Sequence, residues 1–174
     1  MPVTFISNFT WIERYEHLGI DEMLINKFRI AYSYINKLIQ YYLCLAKDYI
    51  DENEVYDGGF VCRRIDKLKL DEIKAKHGKI IFITCGKSAS LNNINIKKFS
   101  GSIFATYGID ISNDKECNII KLPIDILDTQ NYIVASDIVI TKAVGGTISE
   151  DILGHTSLVL IEIPSAKEDT FNIE

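Results

Sequence analysis

The sequence lacks an excess of basic residues: 19 lysines and arginines stand against 24 aspartates and glutamates, a formal net charge of −5. Binding a nucleic-acid backbone needs clustered Lys and Arg, and here they are scattered, so no nucleic-acid partner is expected. The one basic cluster, Arg63, Arg64, Lys67 and Lys69, alternates with Ile65, Leu68 and Leu70 and reads as a solvated linker or helix face. Paired cysteines are lacking as well. Cys44, Cys62, Cys85 and Cys117 lie far apart without a CxxC, and with three scattered histidines they give no zinc pattern, so no metal site is expected. Three of them sit inside apolar runs, where cysteine acts as a small buried hydrophobe. Without a disulfide framework, a reducing cytoplasm is the expected compartment. No basic segment followed by an apolar one opens the chain as a signal peptide would, and no apolar run approaches the about 20 residues of a membrane span. A soluble or at most peripheral protein, with no transmembrane segment, is expected.

What is present suits one compact α/β domain with an appended piece, since 47% of the 174 residues are hydrophobic. Pro2 to Trp11 reads as a short strand ending in a polar loop. From Ile20 to Ile50 the apolar period is helical, as one helix or two, with Ile30, Tyr34, Leu38 and Tyr41 on one stripe. "DENEVYDGG" is a boundary, "FVCRRIDK" an extended connector, and "LDEIKAKHG" a helix of a turn or two stopped at Gly78. From Lys79 the chain alternates apolar strands with helices. "KIIFITCG", "GSIFATYG", "CNIIKLPI", "DIVITKA" and "SLVLIEIP" are the strands. "SASLNNINIKKFS" is a weak helix, "DTQNYIVAS" a helix capped by Asp128 or Thr129, and "GTISEDILG" a further helix. That rhythm predicts a doubly wound parallel sheet, with ligands at the carboxyl ends of its strands. The chain also reads as a piece of something larger, because the fifth strand is followed only by "SAKEDTFNIE".

The loop "CGKSAS" is not a phosphate-binding P-loop, because the glycine required five residues before Gly86 is Ile81. No GxGxxG follows the first strand either. Gly86 is left as a glycine beside a ligand or in a plain turn. "TKAVGGTISEDILG" offers more. Gly145 and Gly146 would expose backbone N–H groups at the positive end of a helix, where a diphosphate gains roughly 0.3–2 kcal/mol from the dipole. Thr147 and Ser149 could add hydroxyls, and the Glu150 carboxylate could accept from both hydroxyls of a ribose. The same Thr-x-x-Glu is equally a capping box, with Thr147 capping the helix and Glu150 reaching back to its N–H. Both readings stand at this point.

"ASDIVITKAVGGTISEDILGHTSLVLIEIP" resembles the donor-binding segment of GT-B glycosyltransferases, in particular those of the family 28 type. Asp137, Gly145, Gly146, Thr147, Glu150, Gly154 and Pro164 match its pattern in order. "PSAKEDTFNIE" is similar to the segment that faces the donor sugar in that family, which places Glu168, Asp169 and Asn172 there. The resemblance implies a Rossmann-like half of a GT-B fold over residues 59–174, preceded at 1–58 by a strand and helical segment left from an N-terminal domain. It implies a nucleotide-sugar substrate, a UDP-sugar, and no other cofactor. Glu150 would hold the ribose, Thr147 and the glycine amides the diphosphate, Leu122 to Leu127 the base, and Glu168 or Asp169 the sugar. Gly86 and Lys142 lie in the strand-end loops that would border this site. Catalytic residues stay unassigned, because the acceptor-binding domain that usually carries them is missing. A partner subunit or second copy docking on the helical segment 20–50, with its tyrosines Tyr32, Tyr34, Tyr41 and Tyr42, would complete hexosyl transfer. The alternative is a nucleotide-binding or scaffold module that performs no transfer.

Overall fold

The computed structural model describes residues 2–7, 10–43, 54–86, 89–96, 98–113, 117–162 and 173. The chain divides into two units: Met1–Val61 with Ala143–Gly145 and Glu162–Glu174, and Cys62–Lys142 with Gly146–Ile161.

The first unit starts with the expected short strand, β1 (Thr4–Ser7), and a helix, α1 (Trp11–His17), follows in a stretch for which no element was expected. Its signal is a capping box: Thr10 Oγ1 accepts from the Ile12 N–H at 3.3 Å, and Glu13 Oε2 accepts from the Thr10 N–H at 3.1 Å. Next comes α2 (Glu22–Tyr32), capped by Asp21, whose Oδ1 accepts from the Met23 N–H at 2.7 Å. The helical reading of 20–50 therefore holds only to Tyr32. Leu38 lies in a strand, β2 (Lys37–Gln40), and is fully buried between Phe5 and Val55. Asn36 ends the turn before it by accepting from the Val3 N–H at 2.8 Å, which aligns β2 with β1. With β3 (Val55–Asp57), found inside the expected boundary segment, these form a three-stranded parallel sheet in the order β1-β2-β3. A continuous helical stripe for a partner is thus absent over 20–43. Tyr32 packs on Phe5 at 5.5 Å instead, while Tyr34 is exposed. Residues 44–50 of that segment lie outside the described residues.

The second unit begins with α3 (Lys67–His77), three residues earlier than its apolar period suggests, because Asp66 caps it through Leu68 and Lys69 N–H at 3.1 and 3.2 Å. Then follow β4 (Ile80–Thr84), β5 (Leu91–Ile96), β6 (Ser102–Ala105), β7 (Ile109–Asn113) and β8 (Asn118–Lys121). The chain continues with α4 (Thr129–Ala135), β9 (Ile138–Lys142), α5 (Gly145–Gly154) and β10 (Ser157–Ile161). The five expected strands form a parallel sheet in the order β10-β9-β4-β6-β8, flanked by helices. Asp128 is the N-cap of α4, but its carboxylate pairs with Lys69 and makes no capping hydrogen bond.

One expected helix is a strand. "SASLNNINIKKFS" contains β5, which pairs in parallel with β7, a strand the sequence did not disclose. Asn93 has φ +61° and the register slips between Leu91 and Ile94, so Leu91, Ile94 and Ile96 all turn inward across the irregularity. This two-stranded layer packs with Ile83, Cys85, Ile103 and Ala105 in one core. A second core joins Ile80, Phe82, Phe104 and Val139 to Ile73 of α3 and Ile133 of α4. Alternate residues of β4 thus feed different cores, as a central parallel strand requires. Cys85 and Cys117 are buried, as their apolar surroundings predict, whereas Cys62 is only partly covered. Among the described residues no helix is long and apolar enough to cross a membrane.

Candidate functional site

Parallel strands end together, so the loops after β4, β6 and β8 collect at one edge of the sheet. A cavity of about 260 Å³ lies there. At the ends of β4 and β6, Thr106 Oγ1 donates to Thr84 Oγ1 at 3.0 Å, and the Gly86 N–H donates to the same oxygen at 3.3 Å. Tyr107, Pro123, Ile124, Ile126 and Leu127 supply most of the apolar lining. Gly86 has φ +74°, which explains it as a turn residue. Among the described residues a Cβ there would meet the Lys142 Cε, at 3.7 Å, and nothing closer, so the positive φ is what calls for the glycine. That contact also places Lys142 beside Gly86.

Arg63 closes the cavity from the connector. Its Nε donates to Glu150 Oε1 at 2.7 Å and its Nη2 to Glu150 Oε2 at 3.1 Å, a bidentate pair. Nη1 donates to the Leu127 carbonyl at 2.9 Å, and Nη2 also to Thr129 Oγ1 at 2.8 Å. The Glu150 carboxylate raises the guanidinium's proton affinity, against the opposing effect of partial burial. One side chain thereby joins the connector, the loop before α4, and α5. The sequence read Arg63 as a solvated linker charge and missed this. Its only signal would have been Glu150 itself, a carboxylate on an inward helix face that needs a cation.

Glu150 therefore does not form the capping box expected as one of its two readings. The helix starts at Gly145, so Thr147 stands inside the first turn rather than at the N-cap, and no capping box forms there. Glu150 is 5% exposed with both oxygens on Arg63, so as it stands it is not open to a ribose. Ser149 is buried and does not offer a surface hydroxyl; Thr147 is half-buried. Gly146 is exposed, and beyond its chain neighbours and its own helix backbone no described atom lies within 4 Å of a Cβ built on it. Packing does not demand a glycine at this place in a helix, where glycine costs up to about 1 kcal/mol relative to alanine. Glu168, Asp169 and Asn172 lie outside the described residues, as do Lys87 and Ser88 of the β4 loop.

Neither Cys85 nor Cys62 has the lowered thiol pKa of an activated nucleophile. Burial pushes the Cys85 thiol up, and its Sγ donates to the Ala89 carbonyl at 3.1 Å. Burial, and then the Glu150 charge, push Cys62 up as well. Among the described residues no three His, Cys, Asp or Glu side chains gather as metal ligands would. Comparison with protein-family models, with curated proteins and with solved structures gives no match for this chain.

Proposed function

We propose that the second unit binds a nucleotide-diphospho-sugar, as the donor-binding part of a GT-B glycosyltransferase of the family 28 type completed by an acceptor-binding domain or subunit. The observation that carries this reading is the cavity at the carboxyl ends of β4, β6 and β8, bounded by the Leu122 to Leu127 loop to which the resemblance assigns the base. The strand order supports the finer, doubly wound reading. The chain steps from β4 outward to β6 and β8, then returns across β4 to β9 and β10. Gly146 supports the phosphate placement, because close approach by a ligand gives the exposed glycine the reason that packing does not. One observation favours the scaffold module. Glu150, the residue assigned to the ribose, is already satisfied by Arg63, and freeing it would cost hydrogen bonds to a charged group worth about 1.5–3 kcal/mol each.

The test is calorimetric titration of the chain with UDP, GDP, ADP and their hexose conjugates, repeated on Gly146→Ala. The substitution meets open space and relieves a helical glycine, so the variant should unfold later, by about 0.5–1 kcal/mol. It should bind the preferred nucleotide at least ten-fold more weakly, about 1.4 kcal/mol, because the new methyl stands where the phosphates approach. Equal binding by both proteins would remove α5 from the phosphate path. A hexose conjugate held no better than the bare nucleotide would favour the nucleotide-binding module, and silence from every nucleotide at millimolar concentration would end the proposal.

A further inference from the structure

We infer that Arg63 is an autoinhibitory gate: its guanidinium holds the place on Glu150 that the two hydroxyls of a vicinal diol would take, and a ligand must displace it. The inference rests on the nucleotide-binding reading and adds how that site is regulated, by a side chain of the same chain that competes with the ribose.

Position argues first. Arg63, Leu127 and Thr129 line the cavity at the strand ends, and Glu150 does not. Every hydrogen bond that the guanidinium makes among the described residues goes to Leu127, to Thr129 or to Glu150. It thus stands between the cavity and the carboxylate, and turning it aside opens the one to the other. Chemistry argues next. Nε and Nη2 set two N–H donors side by side on the two oxygens of Glu150, at 2.7 and 3.1 Å. A cis-diol offers a carboxylate two O–H donors in the same arrangement, so guanidinium and diol are rivals for one pair of acceptors. A phosphate brings acceptor oxygens and cannot take that place.

The same pairing keeps the gate shut at rest. Glu150 is 5% exposed, and moving Arg63 away with nothing in its place strands a buried carboxylate. A diol that arrives as the guanidinium leaves restores both hydrogen bonds. Which partner moves follows from where each is carried. Glu150 is fixed in α5, whereas Arg63 lies on the connector before α3, outside any helix or strand, with its side chain 48% exposed. The connector backbone is held at Arg64 by Gln130 and at Asp66 by Asn131, so a change of the Arg63 rotamer opens the gate without moving the chain. A pair formed only to neutralise an inward glutamate has no need of an arginine that fronts a cavity with half its side chain in water.

UDP, GDP and ADP, each beside its deoxyribose counterpart, which lacks one of the two hydroxyls, are titrated into the full chain and into Arg63→Lys and Arg63→Met. A site that is open only part of the time binds more weakly in proportion, so removing the gate reads out as gained affinity. Arg63→Met should bind the preferred ribonucleotide at least ten-fold more tightly than the parent, which corresponds to a gate open about one-tenth of the time or less. Arg63→Lys keeps a cation beside Glu150 but loses the two-point grip, and should gain about three-fold. The deoxyribose compound should gain far less in both. Arg63→Lys carries the comparison if the methionine variant does not fold. Binding by the variants and not by the parent also upholds the gate. Equal or weaker binding by both variants overturns the gate and leaves nucleotide binding in place, and so does an equal gain for the deoxyribose compound. Failure of every nucleotide to bind any of the three proteins overturns both.

Discussion

Arg63→Met will destabilise the chain by about 3 kcal/mol, and pairing it with Glu150→Leu will return most of that loss. The first effect follows from what is left behind. Glu150 is 5% exposed, and without Arg63 its carboxylate keeps its burial and loses both charge-assisted hydrogen bonds. Breaking one side of a buried ion pair costs about 3–5 kcal/mol. The lower end applies because the Arg63 side chain is 48% exposed, so water can enter part of the space it vacates. The second effect separates the pair from its parts: removing both charges removes the stranded one, and apolar replacements of similar size are often neutral. Glu150→Gln should fall between, because its amide oxygen still accepts from the Arg63 Nε. Denaturant unfolding of the parent, the single variants and the double variant reads out the cycle. A loss below 1 kcal/mol for Arg63→Met would reduce the pair to an ordinary surface contact.

The pair also explains how the connector is held. Near Arg63, the Arg64 carbonyl accepts from Gln130 Nε2 at 3.2 Å, and the Asp66 N–H donates to the buried Asn131 Oδ1 at 2.8 Å. A segment that reads as an extended, solvated linker is extended as expected, but it is tied to α4 and α5 by its backbone and by one arginine. The cation is structural and partly enclosed rather than a free surface charge.

What the sequence discloses and what it hides divide along physical lines. The five strands of the large sheet are legible because a parallel strand buried on both faces is an unbroken apolar run, and "KIIFITCG" and "DIVITKA" can be little else. β5 is not legible, because the irregularity at Asn93 breaks the two-residue alternation by which a strand is recognised. β2 hides for the opposite reason: Ile30, Tyr34, Leu38 and Tyr41 keep a helical period by coincidence across the end of α2. The two Thr-x-x-Glu motifs are the clearest lesson. At Thr10–Glu13 the pattern forms a capping box, and at Thr147–Glu150 it does not, although the local residues are equally suitable. Two features decide between them. The second helix begins two residues before its threonine, and an arginine 87 positions away in sequence takes its glutamate. Local chemistry proposes a motif, and long-range pairing decides whether it is used. The strand-end loops were legible as a ligand region for the topological reason that applies to any such sheet, but the Thr84–Thr106 pair and the Arg63 clamp depend on which loops meet.

Asp151→Asn will abolish a pH dependence of stability and leave the chain more stable than the parent above about pH 6. Asp151 is 1% exposed in α5, its Oδ1 accepts from Thr156 Oγ1 at 2.6 Å, and its Oδ2 has no hydrogen-bond partner among the described residues. Burial pushes its carboxyl up to about 6, the neighbouring Glu150 charge adds to the rise, and the Thr156 hydrogen bond opposes it. The folded chain thus holds the proton more tightly than the unfolded chain does. The stabilisation from the neutral carboxyl is complete below the unfolded value near 4, and it is lost as pH rises through about 6. At neutral pH the fold carries an ionised, half-satisfied carboxylate. The rise of about two pH units corresponds to about 3 kcal/mol at most, and to nearer 2 once water and small movements relieve the charge. An asparagine keeps the oxygen that Thr156 needs and cannot ionise. Unfolding midpoints of both proteins measured between about pH 3 and pH 8 should converge at the acid end, separate between about pH 4 and pH 6, and hold a constant gap above that, with the asparagine chain on top. Curves that stay parallel across that range would mean that Asp151 is ionised throughout, with its buried oxygen satisfied by water.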